Sequence, residues 1–118
     1  MSYQRGEIVL IPFPFTDLSR RKARPAVVIS PYRFNRHSQD VILVAISSKV
    51  PAMPNQFEVT IERSDVGFAT TGLRVSSVIK ASKLVTLKQS LIHVTLGKLP
   101  PYILLELNQR VARAVGLP

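Results

Sequence analysis

The chain has 118 residues, which is enough for one compact domain and too few for two, so we expect a single domain over residues 1–118. Because 46% of the residues are hydrophobic, this domain can have a core. It contains no cysteine, which excludes disulfide bridges and cysteine-bound metal and is typical of a cytoplasmic protein. The formal net charge of +9 predicts a polyanionic partner, nucleic acid first and an acidic protein second, with a basic surface kept for solubility as the alternative. No apolar run reaches the roughly 20 residues that span a bilayer, and the first residues lack the pattern of a signal peptide, so we expect no membrane association.

Two predicted strands flank a basic turn near the start of the chain. Residues 6–11 are rich in Ile and Val, and Pro12 and Pro14 then remove two backbone donors, so the first strand ends there. Turn-forming and cationic residues follow: Thr16, Asp17, Ser19, Arg20, Arg21 and Lys22. The second strand covers residues 24–30, which places Arg24 where a loop meets a strand.

The middle of the chain predicts further strands separated by loops. Residues 40–47 are an unbroken apolar run, typical of a strand buried on both faces, and residues 56–61 alternate as a half-exposed strand does. Residues 31–40 predict a loop or a single helical turn, and the prolines in residues 50–55 exclude a helix there. We expect three more strands, over residues 73–80, 82–87 and 91–96, the last of them ended by Gly97.

The end of the chain changes to a helical period. Leu104, Leu107, Val111 and Val115 recur on one helical face, with polar residues opposite. Pro101 suits the first turn of such a helix and Gly116 suits its end. Several short antiparallel strands followed by one helix predict an α+β fold, a small barrel whose sheet the helix covers.

Several short motifs lie along the predicted strands. They are Gly6-Glu7-Ile8-Val9, Pro12-Phe13-Pro14-Phe15-Thr16-Asp17, Arg24-Pro25-Ala26-Val27-Val28-Ile29-Ser30, Gly72-Leu73 before Ser77-Val78-Ile79, and Leu96-Gly97-Lys98-Leu99 before the helix. Together they cover most of the chain and resemble the PemK/MazF toxins of bacterial toxin–antitoxin pairs. The resemblance implies a small SH3-like antiparallel β-barrel with a C-terminal helix, of the CcdB/PemK/MazF type, which forms a homodimer.

Arg24 and Ser47 are the candidate catalytic residues, because both lie at predicted strand ends that border loops. A guanidinium binds phosphate oxygens through a fixed fork, and a hydroxyl beside it can donate to the same group, so the pair would stabilise a pentacoordinate phosphorus. RNA supplies its own nucleophile, the 2′-OH, and cleavage then leaves a 2′,3′-cyclic phosphate and a 5′-OH. The resemblance implies the same roles for the arginine of the Arg-Pro motif and the serine of Ala45-Ile46-Ser47, with Ser48 in that role if the register shifts by one.

The proton acceptor for this reaction stays open. Some members of the family that the chain resembles carry a carboxylate about five residues before the motif arginine, where this chain has Ser19. Asp17 is the one acid in that loop, and it either accepts the proton or caps the turn. The sequence has no clustered metal ligands and no glycine-rich phosphate loop, so we expect neither a metal nor a cofactor.

The predicted RNA-binding residues lie in the loops beside the catalytic pair. They are Phe15, Thr16, Asp17, Arg20, Arg21, Lys22, Ser48 and Lys49. The cationic members would bind backbone phosphates without reading the base sequence. Phe15 would either stack on a splayed base of single-stranded RNA or lie in the core under the loop.

The leading hypothesis is a metal-independent, sequence-preferring endoribonuclease toxin that cleaves single-stranded messenger RNA in the cytoplasm. The resemblance implies an acidic, partly disordered antitoxin as the partner, and DNA binding through the complex with that antitoxin. A gyrase poison on the same barrel is the second hypothesis, but that activity relies on a C-terminal Trp, and this chain has none and ends Gly116-Leu117-Pro118. A binding module without catalysis is the third, because the sequence shows no clear general base.

Overall fold

The computed structural model describes residues 2–12 and 23–118, which form six strands and three α-helices. The strands are β1 (Glu7–Pro12), β2 (Ala23–Val28), β3 (Asp40–Ser47), β4 (Glu58–Ile61), β5 (Ser77–Lys88) and β6 (Val94–Lys98). The helices are α1 (Tyr32–Asn35), α2 (Phe68–Thr71) and α3 (Pro101–Ala114), and a single 3₁₀ turn spans Gln89–Leu91. Strand β3 has the predicted bounds, and α1 is the single helical turn predicted between residues 31 and 40.

The strands form one antiparallel sheet in the order β4-β5-β3-β2-β1-β6. Strands β4 and β6 are its edges, so the sheet is a curled half-barrel. Helix α3 follows the last strand and covers one face. The predicted α+β fold, a small antiparallel barrel with a C-terminal helix, is confirmed.

Each face of the sheet carries its own apolar core. The helix-side core, under α3, consists of Ile8, Val27, Val44, Ile46, Val59, Ile61, Ile79, Ala81, Leu99, Ile103 and Leu107. The opposite-face core consists of Val9, Ile11, Ala26, Val28, Val41 and Leu43. Because successive side chains of a strand point to opposite faces, the apolar run of β3 supplies both cores, as its sequence predicts.

Helix α3 covers the sheet with the face that its sequence predicts, except that the helix ends before Val115, which is exposed. Ile103 and Leu107 are buried in the helix-side core, and Leu104 and Val111 pack against it. Burial of such side chains stabilises a fold by about 1.5–3 kcal/mol each, so these contacts fix the helix on the sheet. In the part of the chain that the structure describes, no helix is both long enough and apolar enough to cross a membrane.

Strand β5 is one long strand where the sequence predicts two. Its pairing with β3 shifts between Lys80 and Leu84, which leaves residues 81–83 without partners on β3. The N–H of Ala81 donates to the carbonyl of Phe57 (2.9 Å), so the chain stays attached to the sheet through this β5 bulge. The prediction of two strands is wrong because a bulge bends a strand and interrupts its alternation without ending it.

Gly97 lies inside β6, so the prediction that it ends the strand is wrong. It pairs with Ile8 of β1. A Cβ at this position would lie only 2.2 Å from the carbonyl oxygen of Thr70 in α2. Glycine is therefore needed here for the close approach of α2 to β6, which is a contact between segments distant in sequence.

A buried polar network holds α1 against the start of β3, at the opposite end of that strand from Ser47. The side-chain amide of Asn35 donates to the carbonyls of Tyr3 (2.8 Å) and Ser30 (3.0 Å), and its oxygen accepts from the Ser30 hydroxyl. The Ser30 hydroxyl also accepts the N–H of Ile42 (3.0 Å). Buried polar groups with all these partners rigidify this end of the sheet.

We expect Gly97→Ala to lower the free energy of unfolding by about 1–3 kcal/mol, because a methyl group would overpack against the Thr70 carbonyl. Urea denaturation of the two proteins measures the difference. Thr95→Ala, at an exposed position of the same strand, is the control and should stay within about 0.5 kcal/mol of the wild type. A Gly97→Ala protein as stable as this control would contradict the tight approach of α2 to β6.

Candidate active site

The register of the β2–β3 ladder brings Arg24 and Ser47 together. The ladder pairs Ala26 with Ala45 and Val28 with Leu43. The ladder ends at the pair Ala26–Ala45, and Arg24 and Ser47 lie two residues beyond that pair on their strands, with side chains on the same face of the sheet.

This pair lies at the point where one face of the sheet changes from apolar to polar. On β2, Arg24 shares a face with Ala26, which belongs to the opposite-face core. On β3, Ser47 shares that face with Ala45 and Leu43. Arg24 is exposed and Ser47 is half-buried, so both side chains are open to a ligand that lies on this end of the sheet.

The two residues line one cavity of about 210 Å³, which we call the cationic cavity. Its lining consists of Arg24, Ser47, Lys49, Lys80 and Lys83, together with Ala45 and Ile46. Four of these side chains are cationic, and no carboxylate or imidazole is present among the described residues that line the cavity. At an effective dielectric constant of about 20, a phosphate oxygen about 4 Å from one cation gains roughly 4 kcal/mol before desolvation, so the cavity favours an anion.

Two of the lining cations, Lys80 and Lys83, are not among the residues predicted from the sequence. The β5 bulge lies between Lys80 and Leu84, on the strand next to Ser47. It re-aims the chain so that both lysines reach the same cavity. In the sequence, the only sign of this arrangement is that two basic residues flank a break in the alternation of polar and apolar residues. A turn between two strands would give the same pattern.

The Ser47 hydroxyl has one partner within its own loop. It accepts the backbone N–H of Lys49 at 3.1 Å, which is a local serine turn at the end of β3. Because the hydroxyl accepts in that bond, its own hydrogen can still be donated to a ligand oxygen. The turn also orients Ser47 and brings Lys49 to the edge of the cavity.

Ser48, the alternative to Ser47, lies in a different cavity. That second cavity, of about 340 Å³, is lined in part by Ser48, Arg74 and apolar side chains that include Leu10 and Leu73. Arg24 lines both cavities. The structure therefore places Ser47, and not Ser48, with the lysines.

The other predicted site residues lie outside the described part of the chain. They are Phe15, Thr16, Asp17, Arg20, Arg21 and Lys22, together with Ser19 at the position of the missing carboxylate. Their predicted roles in RNA binding and proton transfer stay predictions. Within residues 2–12 and 23–118, no group of three or more His, Asp or Glu side chains is placed to hold a metal ion.

A sequence model of the family described as PemK-like, MazF-like toxin of type II toxin–antitoxin system matches residues 4–115. No curated protein sequence gives a match.

Several solved structures share the fold over nearly the whole chain. An endoribonuclease in complex with its cognate antitoxin, from a mycobacterial species, is 25% identical, with a TM-score of 0.77 over 99% of this chain and 98% of the other. The Mycobacterium tuberculosis toxin MazF-mt6 is 20% identical, with a TM-score of 0.75 over 95% of this chain and 98% of the other. A MazE–MazF complex from Deinococcus radiodurans is 22% identical, with a TM-score of 0.74 over 100% and 99% of the two chains.

We expect Lys49→Ala to reduce the salt dependence of polyanion binding. A single-stranded DNA oligonucleotide serves as the polyanion, and fluorescence anisotropy gives its affinity as salt is raised from about 50 to 200 mM. Loss of one phosphate contact should make the slope of log K against log salt shallower by about 0.7. Lys98→Ala, outside the cationic cavity, is the control that should keep the wild-type slope. An unchanged slope for Lys49→Ala would remove Lys49 from the binding surface.

Proposed function

The chain belongs to the PemK/MazF-like toxins of type II toxin–antitoxin systems, and we propose that it is a metal-independent, sequence-preferring endoribonuclease that cleaves single-stranded messenger RNA. The observation that supports this activity is the cavity that Arg24 and Ser47 line together with Lys49, Lys80 and Lys83. The similarity to a mycobacterial endoribonuclease at 25% identity supports the same activity.

In the proposed reaction the RNA 2′-oxygen attacks the adjacent phosphorus. The O2′–P bond forms, the P–O5′ bond breaks, and the products carry a 2′,3′-cyclic phosphate and a 5′-OH. The proton of the 2′-OH goes to solvent water or to Asp17. The Arg24 fork binds two phosphoryl oxygens, and the Ser47 hydroxyl donates to the charge that develops on the pentacoordinate phosphorus.

The cationic cavity also fits the proposed partners. Single-stranded RNA can bend a phosphate into the cavity while its bases splay out, which a duplex resists. An acidic antitoxin would neutralise the toxin by covering the same cations, as its structural relative is bound by a cognate antitoxin. We further propose that the toxin acts as a homodimer in the cytoplasm, where its messenger RNA substrate lies.

We expect Arg24→Ala to lower the rate of RNA cleavage by about 10²–10³-fold or more, because it removes the main stabiliser of the transition-state charge. Arg24→Lys keeps the charge but loses the two-pronged fork, so most of the loss should remain. A labelled single-stranded RNA in EDTA gives the rates, and urea denaturation checks that both variants fold. Wild-type protein that binds this RNA without cutting it would support a binding module instead.

The variants Ser47→Ala and Ser48→Ala show which of the two serines has the catalytic role. We expect Ser47→Ala to reduce kcat about 10–100-fold with little change in KM, since the hydroxyl acts on the transition state. Ser48→Ala is the matched control, because Ser48 faces the other cavity. The same RNA assay measures both, and a larger loss for Ser48→Ala would show that the neighbouring serine carries the role.

A further inference from the structure

Lys80 occupies a distinctive position in the cationic cavity. It lies on β5 between two neighbouring strands, opposite Ala45 of β3 and Glu58 of β4. It is half-buried, whereas Lys49 and Lys83 are exposed. Its backbone is therefore held by the sheet, and Lys80 lines the same cavity as Arg24 and Ser47.

Lys80 has no carboxylate partner among residues 2–12 and 23–118. The nearest candidate by register is Glu58, but no ion pair joins the two, and the Glu58 carboxylate accepts the N–H of Asn55 at 2.9 Å. Lys80 can therefore take its counter-ion from a bound ligand. The anion that would complete this site is a ligand phosphate.

The side chains of the cavity differ in their ability to release a proton. A guanidinium does not lose its proton in proteins, so Arg24 can stabilise charge but cannot act as a general acid. An ammonium carries three donors and can give one up to a developing alkoxide. Among the described lining residues only the lysines have this chemistry, and Lys80 is the one that the sheet holds in place.

We propose that Lys80 is the general acid of the reaction described above, an assignment that rests on the proposed function. As the P–O5′ bond breaks, a proton moves from the Lys80 Nζ to the leaving 5′-oxygen, which departs as a 5′-OH. The 2′-OH proton leaves on the opposite side of the phosphorus to solvent water or Asp17. The neutral amine then regains a proton from solvent, so the enzyme returns to its starting state.

A substrate with sulfur in place of the bridging 5′-oxygen tests this assignment. A thiolate leaves without protonation, so loss of a general acid slows cleavage of the oxygen substrate and not of the sulfur substrate. The same single-stranded RNA is made in both forms, and single-turnover rates are measured for the wild type, Lys80→Met and Lys80→Arg. Lys88→Met, which removes a charge from the far end of the same strand, is the control.

We expect Lys80→Met to cleave the oxygen substrate about 10²-fold or more slowly and the sulfur substrate within about threefold of wild type. Lys80→Arg should show the same split, because it keeps the charge but does not release a proton. Lys88→Met should match the wild type on both substrates.

Four results would overturn the assignment, with Lys83→Met measured on both substrates in the same way. Equal losses on both substrates would show that Lys80 stabilises charge without giving a proton, and no loss would remove it from the reaction. If Lys83→Met slowed cleavage of the oxygen substrate but not of the sulfur substrate, and Lys80→Met did not, the general acid would be Lys83. Wild-type protein that cleaves neither substrate would overturn the proposed function itself, and Lys80 with it.

Discussion

The register between β2 and β3 is the constraint on which the candidate site depends. It is fixed by buried pairs, Ala26 with Ala45 and Val28 with Leu43, that belong to the two-sided core of the sheet. A slip of one residue would turn every side chain of β3 to the other face and expose both cores. The free energy that holds this register is therefore the same hydrophobic burial that holds the fold, and it keeps Arg24 and Ser47 at the same cavity.

A second consequence of the sheet is the concentration of charge at one end. Along a single face, apolar residues of the opposite-face core give way to a guanidinium, a hydroxyl and three ammonium groups within a few residues. The β5 bulge makes this possible, because it brings Lys80 and Lys83 to the cavity without breaking the strand. The high net charge of the chain is thus partly local, because four of its cationic side chains line one cavity.

The sequence predicted most of the scaffold and only part of the site. Strand β3 and helix α3 were predictable because their patterns are local and strongly periodic. Arg24 and Ser47, named from their motifs, line one cavity, and their catalytic roles stay predictions. The two lysines and the role of Gly97 were not, because a bulge and the approach of a distant helix are set by pairing between segments far apart in sequence.

The central claim is that Arg24 and Ser47 act together on one phosphoryl group. A double-mutant cycle with Arg24→Lys and Ser47→Ala, read from single-turnover RNA cleavage, tests it most directly. Residues that act as a unit are not additive, so the double variant should cleave only slightly more slowly than the slower single variant. Losses that multiply in the double variant would contradict a shared phosphoryl group and the account built on it.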